Sequence, residues 1–156
     1  MENNLSQERL EELLDQAVRE VTEQTAGVRL CRSGEPLDGD LCTVYISFHK
    51  GFHSSLSLCA DAALLSRMAQ NAMYTDTVSP QDLEDFSKEY FNILCGKIAA
   101  LLFQATQVAA RFSVPSFHRG RYVPEDRLCQ FVLTYSGGER QSAQLTHHIP
   151  RTQAAP

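Results

Sequence analysis

SPQDLEDFSKEYFNILCGKIAALLFQATQVA, residues 79–109, reads as one long helix. Ser79 is the expected cap, Pro80 sits at the first helical position, and Asp82 faces the positive end of the dipole. Beyond Pro80 the run holds no proline and one glycine, Gly96. The spacing predicts a helix over 80–109 whose core face is Phe86, Tyr90, Ile93, Leu94, Ile98, Leu101 and Ala105. With Asp85 at zero and about 100° per residue, Glu89 falls near 40°, Asn92 near −20° and Gly96 near 20°. Asp85, Glu89, Asn92 and Gly96 therefore form a narrow stripe pointing away from the core. The stripe continues through Ala99, Ala100 and Phe103.

Upstream, Leu10, Leu13, Leu14, Ala17, Val18 and Val21 follow helical spacing, with Asn4 as the expected cap, Gln7 at the reciprocal position and Gly27 as the stop. Short strands are predicted at Val28–Arg32, Leu41–Phe48 and Phe52–Cys59, the last two forming a hairpin around His49-Lys50-Gly51. Asp61 would cap a second helix over 62–73, followed by a loop from Tyr74 to Ser79. Downstream, strands are predicted at Phe112–Phe117, Leu128–Tyr135 and Ser142–Ile149, with Gly137-Gly138 as the tight turn. Strands and helices come in segregated runs. This predicts an α+β fold, a mostly antiparallel sheet packed against the long helix and two further helices. One domain over 1–149 and a mobile tail over 150–156 are expected.

Composition narrows the function classes. The chain has 156 residues, 14 Lys+Arg against 19 Asp+Glu and a formal net charge of −5. That balance argues against nucleic acid as a partner, since phosphate binding needs concentrated basic charge. No window approaches 18 uninterrupted apolar residues, so no membrane span is expected. The polar, acidic start MENNLSQERLEELL is unlike a signal peptide. Cys31, Cys42, Cys59, Cys95 and Cys129 are odd in number and lack a C-x-x-C pair, so buried, reduced thiols in a cytoplasmic protein are expected. His49, His53, His118, His147 and His148 show no metal-ligand spacing, and surface or loop positions are expected for them. No metal site is predicted. Arg111, Arg119, Arg121 and Arg127 read as ordinary surface charge. Cys95 lies away from the stripe and reads as packing rather than as a nucleophile.

A solvated helix face is the plain account of Asp85, Glu89 and Asn92. Gly96 argues against it, because glycine inside a helix costs about 0.8–1 kcal/mol relative to alanine. A solvated face does not need glycine, small residues and an exposed Phe103; a face that another protein approaches does. Asp85-x-x-x-Glu89-x-x-Asn92-x-x-x-Gly96 resembles the signature helix of the CheX-like and CheC-like chemotaxis phosphatases. Pro115-x-x-x-x-Gly120 resembles the strand segment that follows it in that family. Leu58–Met73 is similar to the family's second helix. Element order matches from about residue 5 to 149. The single E-x-x-N helix is similar to the CheX-like group of the CheC/CheX/FliY phosphatases.

The resemblance implies a phosphatase acting on the aspartyl phosphate of a CheY-like receiver domain. Carried over, Glu89 docks a receiver lysine and Asn92 orients the attacking water. Asp85, Gly96, Ala99 and Phe103 then belong to the partner-binding face. The chain needs no cofactor of its own, and Mg2+ belongs to the receiver. The residue types suit that chemistry. An acyl phosphate is already reactive, so placing water is most of the task. An amide both donates and accepts and does not titrate. A Glu three residues earlier lies on the same face. Homodimerisation by joined sheets is also implied. Two alternatives stay open: a non-catalytic module that recognises a receiver or signalling partner, and a structural role of homodimerisation only, through a free edge strand.

Overall fold

The computed structural model describes residues 5–37, 39–138 and 141–151. In chain order the elements are α1 (Gln7–Ala26), β1 (Cys31–Arg32), β2 (Leu41–Lys50), β3 (Ser55–Asp61), α2 (Ala62–Met73), α3 (Pro80–Thr106), β4 (Arg111–Phe112), β5 (Ser116–Arg119), β6 (Arg127–Gly138) and β7 (Gln141–Pro150). Seven strands form one sheet in the order β1-β6-β7-β3-β2-β4, with β5 also paired to β2. Every pairing is antiparallel. The expected α+β class and antiparallel sheet with three helices are what the chain adopts.

Side chains alternate across the strands. Val44, Ile46, Leu56, Leu58, Leu133 and Leu145 point to one face. There they join Leu14, Val18, Leu65, Leu94 and Ile98 of the three helices in a single buried cluster. The opposite face carries Thr43, Tyr45, Ser57, Gln144 and His148, and the β5–β6 connection crosses it. Tyr122 N donates to Thr43 Oγ1 at 3.1 Å, Arg121 donates to Gln144, and the Tyr122 ring stacks on His118 at 3.9 Å. From β5 to β6 the chain must pass β2, β3 and β7, about 19 Å at strand spacing. Gly120 bends the chain out of β5 and Glu125-Asp126 turn it into β6, with residues 121–124 making the crossing between them.

Local departures from expectation have identifiable causes. Ser6 caps α1, its hydroxyl accepting from Arg9 N, and Gly27 ends it at φ 64°; Asn4 lies outside the described residues. Asp61 precedes α2 without a side-chain cap bond. Its carboxylate instead accepts from Ser142 N at 2.7 Å, while Ala62 N donates to Asp40 O. The expected α3 cap is present in full, with Ser79 and Asp82 bonding reciprocally. The helix stops at Thr106, short of 109, where Gln107 turns left-handed at φ 61°. The strand expected over 112–117 is split, because Ser113 N and Oγ bond to Ser47 and Pro115 has no N–H to give to a ladder.

The strand expected over 28–32 is reduced to two residues. Gly137-Gly138 is not the hairpin loop but the end of β6, at a register shift. A Cβ on Gly137 would lie 3.0 Å from Leu64 Cδ1 and 3.2 Å from Leu30 Cδ2, so glycine lets α2 and the 28–30 segment approach the sheet. Arg67 closes that corner by donating to Gly137 O and Gln141 Oε1, both at 2.7 Å. Of the expected tail, residues 152–156 lie outside the described residues. Cys42, Cys59 and Cys95 are buried as expected, but Cys31 and Cys129 are exposed. His147 and His148 are buried, contrary to the expected surface positions. They sit in β7, between β6 and β3, with helices over one face and the 120–126 crossing over the other.

Candidate functional site

The motif stripe lies along the outer side of α3. Asp85, Glu89, Asn92, Gly96, Ala100 and Phe103 are exposed and Ala99 is half-buried. At 1.5 Å per residue, Asp85 to Phe103 spans about 27 Å. The opposite side buries Leu83, Tyr90, Phe91, Leu94, Cys95, Ile98, Leu101 and Leu102. Two residues expected in the core are outside it: Ile93 is 41% exposed and Ala105 is exposed. Ile93 falls near 80° on the wheel, at the edge of the buried arc and closer to Glu89 than to Leu94. It therefore joins the stripe as an apolar neighbour of Asn92. Phe103, 45% exposed, ends the stripe.

Each acidic side chain of α3 but one is engaged. Asp82 completes the cap, Glu84 pairs with Lys88 at 2.9 Å, and Asp85 accepts from Gln81 Nε2 at 2.9 Å. Among the described residues Glu89 and Asn92 make no side-chain hydrogen bond or ion pair. Both are thus presented to solvent with their bonding capacity unused. Asp85 is partly occupied, which fits an edge contact better than a chemical role.

The helix beneath them is firmly seated. Tyr90 is buried, and its hydroxyl and Thr22 Oγ1 on α1 share a hydrogen bond at 2.6 Å. Burial pushes the Tyr90 phenol up to about 12, so it stays neutral. Lys97 reaches Glu20 at 3.3 Å, a second tie between α3 and α1. Burial also raises the Cys95 thiol far above its ordinary range, which removes it as a nucleophile near neutral pH. A Cβ on Gly96 would meet nothing within 4 Å. No packing among the described residues therefore requires glycine there.

Other candidate chemistry is not assembled. Among the described residues, no three His, Cys, Asp or Glu side chains are grouped to hold a metal ion. No described helix is long and apolar enough to cross a membrane. Of the four arginines after α3, three go to different partners. Arg119 lies over the Phe117 ring, Arg121 reaches Gln144, and Arg127 reaches His53 O.

The family model for the chemotaxis phosphatase CheX matches residues 42–134, from β2 through most of β6 with α3 inside. The chain belongs to the CheX family. Comparison with curated proteins finds no sequence match. Solved CheX structures share the fold. The chemotaxis protein CheX of Vibrio vulnificus superposes with a TM-score of 0.70 at 16% identity, covering 88% of this chain and 94% of its own. CheX of Desulfovibrio desulfuricans gives 0.67 at 17% identity, covering 88% and 97%. CheX of Borrelia burgdorferi, in a CheX–CheY–BeF3–Mg2+ complex, gives 0.65 at 12% identity, covering 88% and 95%. At such identities the likeness establishes the CheX fold, and the site must be argued from this chain's own residues.

Proposed function

We propose that this CheX-family chain hydrolyses the aspartyl phosphate of a CheY-like receiver domain, with Glu89 as the docking residue and Asn92 as the water-positioning one. The observation that carries the reading is the pair itself. Glu89 and Asn92 stand one helical turn apart, exposed and unpartnered, on a helix whose other face is locked into the core. In the proposed complex Glu89 pairs with a receiver lysine, which fixes the register of α3 over the phosphorylated aspartate. The Asn92 amide then holds a water in line with the phosphorus. The new water–phosphorus bond forms as the phosphorus–aspartate oxygen bond breaks. Phosphate leaves and the aspartate carboxylate is restored. Mg2+, held by the receiver, offsets charge on the phosphoryl oxygens.

A helix is suited to this task, because a rigid element keeps the reacting groups within the small tolerance that water positioning demands. Gly96, Ala99 and Ala100 keep side chains short on the same face. Ile93 and Phe103 give it apolar contact area. Support from relatives comes from the family's designation as chemotaxis phosphatases and from the Borrelia CheX seen with CheY.

The test is decay of a phosphorylated receiver with and without the protein. Asn92→Ala is expected to remove the acceleration, by about 100-fold or more, while binding to the receiver survives. Glu89→Ala is expected to weaken both. An unchanged rate in Asn92→Ala overturns the mechanism. Binding without any acceleration by the unmodified protein would instead favour a recognition module using the same face.

A further inference from the structure

A cavity of about 400 Å3 lies on the other side of α3 from the motif stripe. Its walls are Leu10 and Leu14 of α1, Phe48 and Leu56 of the sheet, and Ile98 and Leu102 of α3, with His147 set among them. The volume falls within the range of about 300–1,000 Å3 usual for small-molecule sites. It exceeds by more than twofold the roughly 150 Å3 cavity that holds benzene. The cavity opens to solvent on one side, where the exposed Gln7, His53 and Gln130 stand at its mouth and the apolar walls lie within.

Two buried polar residues line the cavity, Ser54 and His147, and His147 is the one whose ring stands among the apolar walls. His147 is 7% exposed, and its ring stacks on Phe131 at 5.0 Å. Nδ1 is sealed from solvent and has no hydrogen-bond partner. An orphaned buried N–H is rarer and costlier than an unused lone pair. The ring proton therefore belongs on Nε2, which makes no hydrogen bond among the described residues and is the nitrogen a cavity molecule can reach. Burial holds the imidazole neutral at pH 7. Among the described residues no lysine, arginine or carboxylate lines the cavity. A charged head group would be desolvated there without compensation.

We propose that this cavity is a binding site for a neutral, medium-length apolar molecule with one hydrogen-bond acceptor, such as an aliphatic alcohol, whose oxygen accepts from His147. The site is separate from the Glu89–Asn92 face and does not depend on the phosphatase reading.

The experiment titrates the full chain at pH 7.5 with 1-octanol and, separately, with octanoate, following amide and imidazole nitrogen resonances. Saturable one-to-one binding of 1-octanol is expected, with shifts at Leu14, Leu56, Ile98 and His147 and at least tenfold weaker binding of octanoate. His147→Phe keeps the ring on Phe131 and removes the donor; it should weaken 1-octanol about fivefold, the worth of one neutral hydrogen bond. Leu10→Trp, which fills the space, should abolish binding, with its thermal midpoint confirming that it is folded. Absence of saturable 1-octanol binding by the unmodified chain overturns the site. Equal affinity for octanoate, or undiminished affinity in folded His147→Phe, overturns the assigned role of His147.

Discussion

At the scale of single residues, Gly96 separates stability from function. Its place inside α3 is costly to the helix, yet a Cβ there meets open space. Gly96→Ala should therefore stabilise the fold by about 0.5–1 kcal/mol through helix propensity alone. For a domain of this size that is a rise of roughly 1–4 °C in thermal midpoint. The same methyl would stand on the face proposed to meet the receiver and should slow dephosphorylation at sub-saturating protein. A higher midpoint with an unchanged rate would remove Gly96 from the interface. Asp85 is the converse case. Gln81 already engages it, so Asp85→Ala should alter the rate far less than Glu89→Ala in the same receiver-decay assay.

At the scale of elements, α3 was largely legible because its signals are local. The Ser79–Asp82 cap, Pro80 and the wheel positions of Glu89 and Asn92 depend only on neighbours within a turn or two. Local signals mislead where the answer depends on distant partners. Ile93 is as apolar as Leu94, and only the position of α1 and the sheet determines which of them is covered. Asp61 reads as a cap, but β7 supplies a better donor from 81 residues away. Gly137-Gly138 reads as a turn, but the approach of α2 is what requires Gly137 to lack a side chain. The tie between α3 and α1 was equally invisible, since Thr22 and Tyr90 are 68 residues apart. Tyr90→Phe should cost about 1–3 kcal/mol by leaving the buried Thr22 hydroxyl unpaired. Adding Thr22→Val should recover most of that loss, since neither partner then carries an unsatisfied group. Chemical denaturation of the four proteins in the cycle measures the coupling. Simple additivity would mean that the hydrogen bond does not join the helices.

At the scale of the whole molecule, the two layers that cover β7 make the protein sensitive to acid. His147 lies under the helices beside the cavity, and His148 lies under the 120–126 crossing. His148 Nε2 and Ser57 Oγ share a 2.9 Å hydrogen bond, and the His148 ring sits edge-on to Tyr45. Burial lowers both imidazoles from 6.5 to about 4, assisted by the His148 charge at His147 and by Arg127 at His148. The unfolded chain thus takes up protons at a higher pH than the folded one. Stability is fully present above about 6.5 and is lost as pH falls towards 4. At about 1.36 kcal/mol per pH unit, His147 alone should cost about 2 kcal/mol between pH 7.5 and 5. His148, lowered to about 4 as well, should add to that loss. The loss should appear as a lower urea midpoint at pH 5, and His147→Phe should flatten the dependence while keeping the stack on Phe131. Glu89 and Asn92 lie on the far side of α3 from both imidazoles, so acid should reach the motif face only through unfolding. Receiver dephosphorylation measured at pH 5.5, under conditions where the unmodified protein is still folded, should therefore be the same in the His147→Phe variant. A rate difference between them would show that the charge state of the core is felt at the motif.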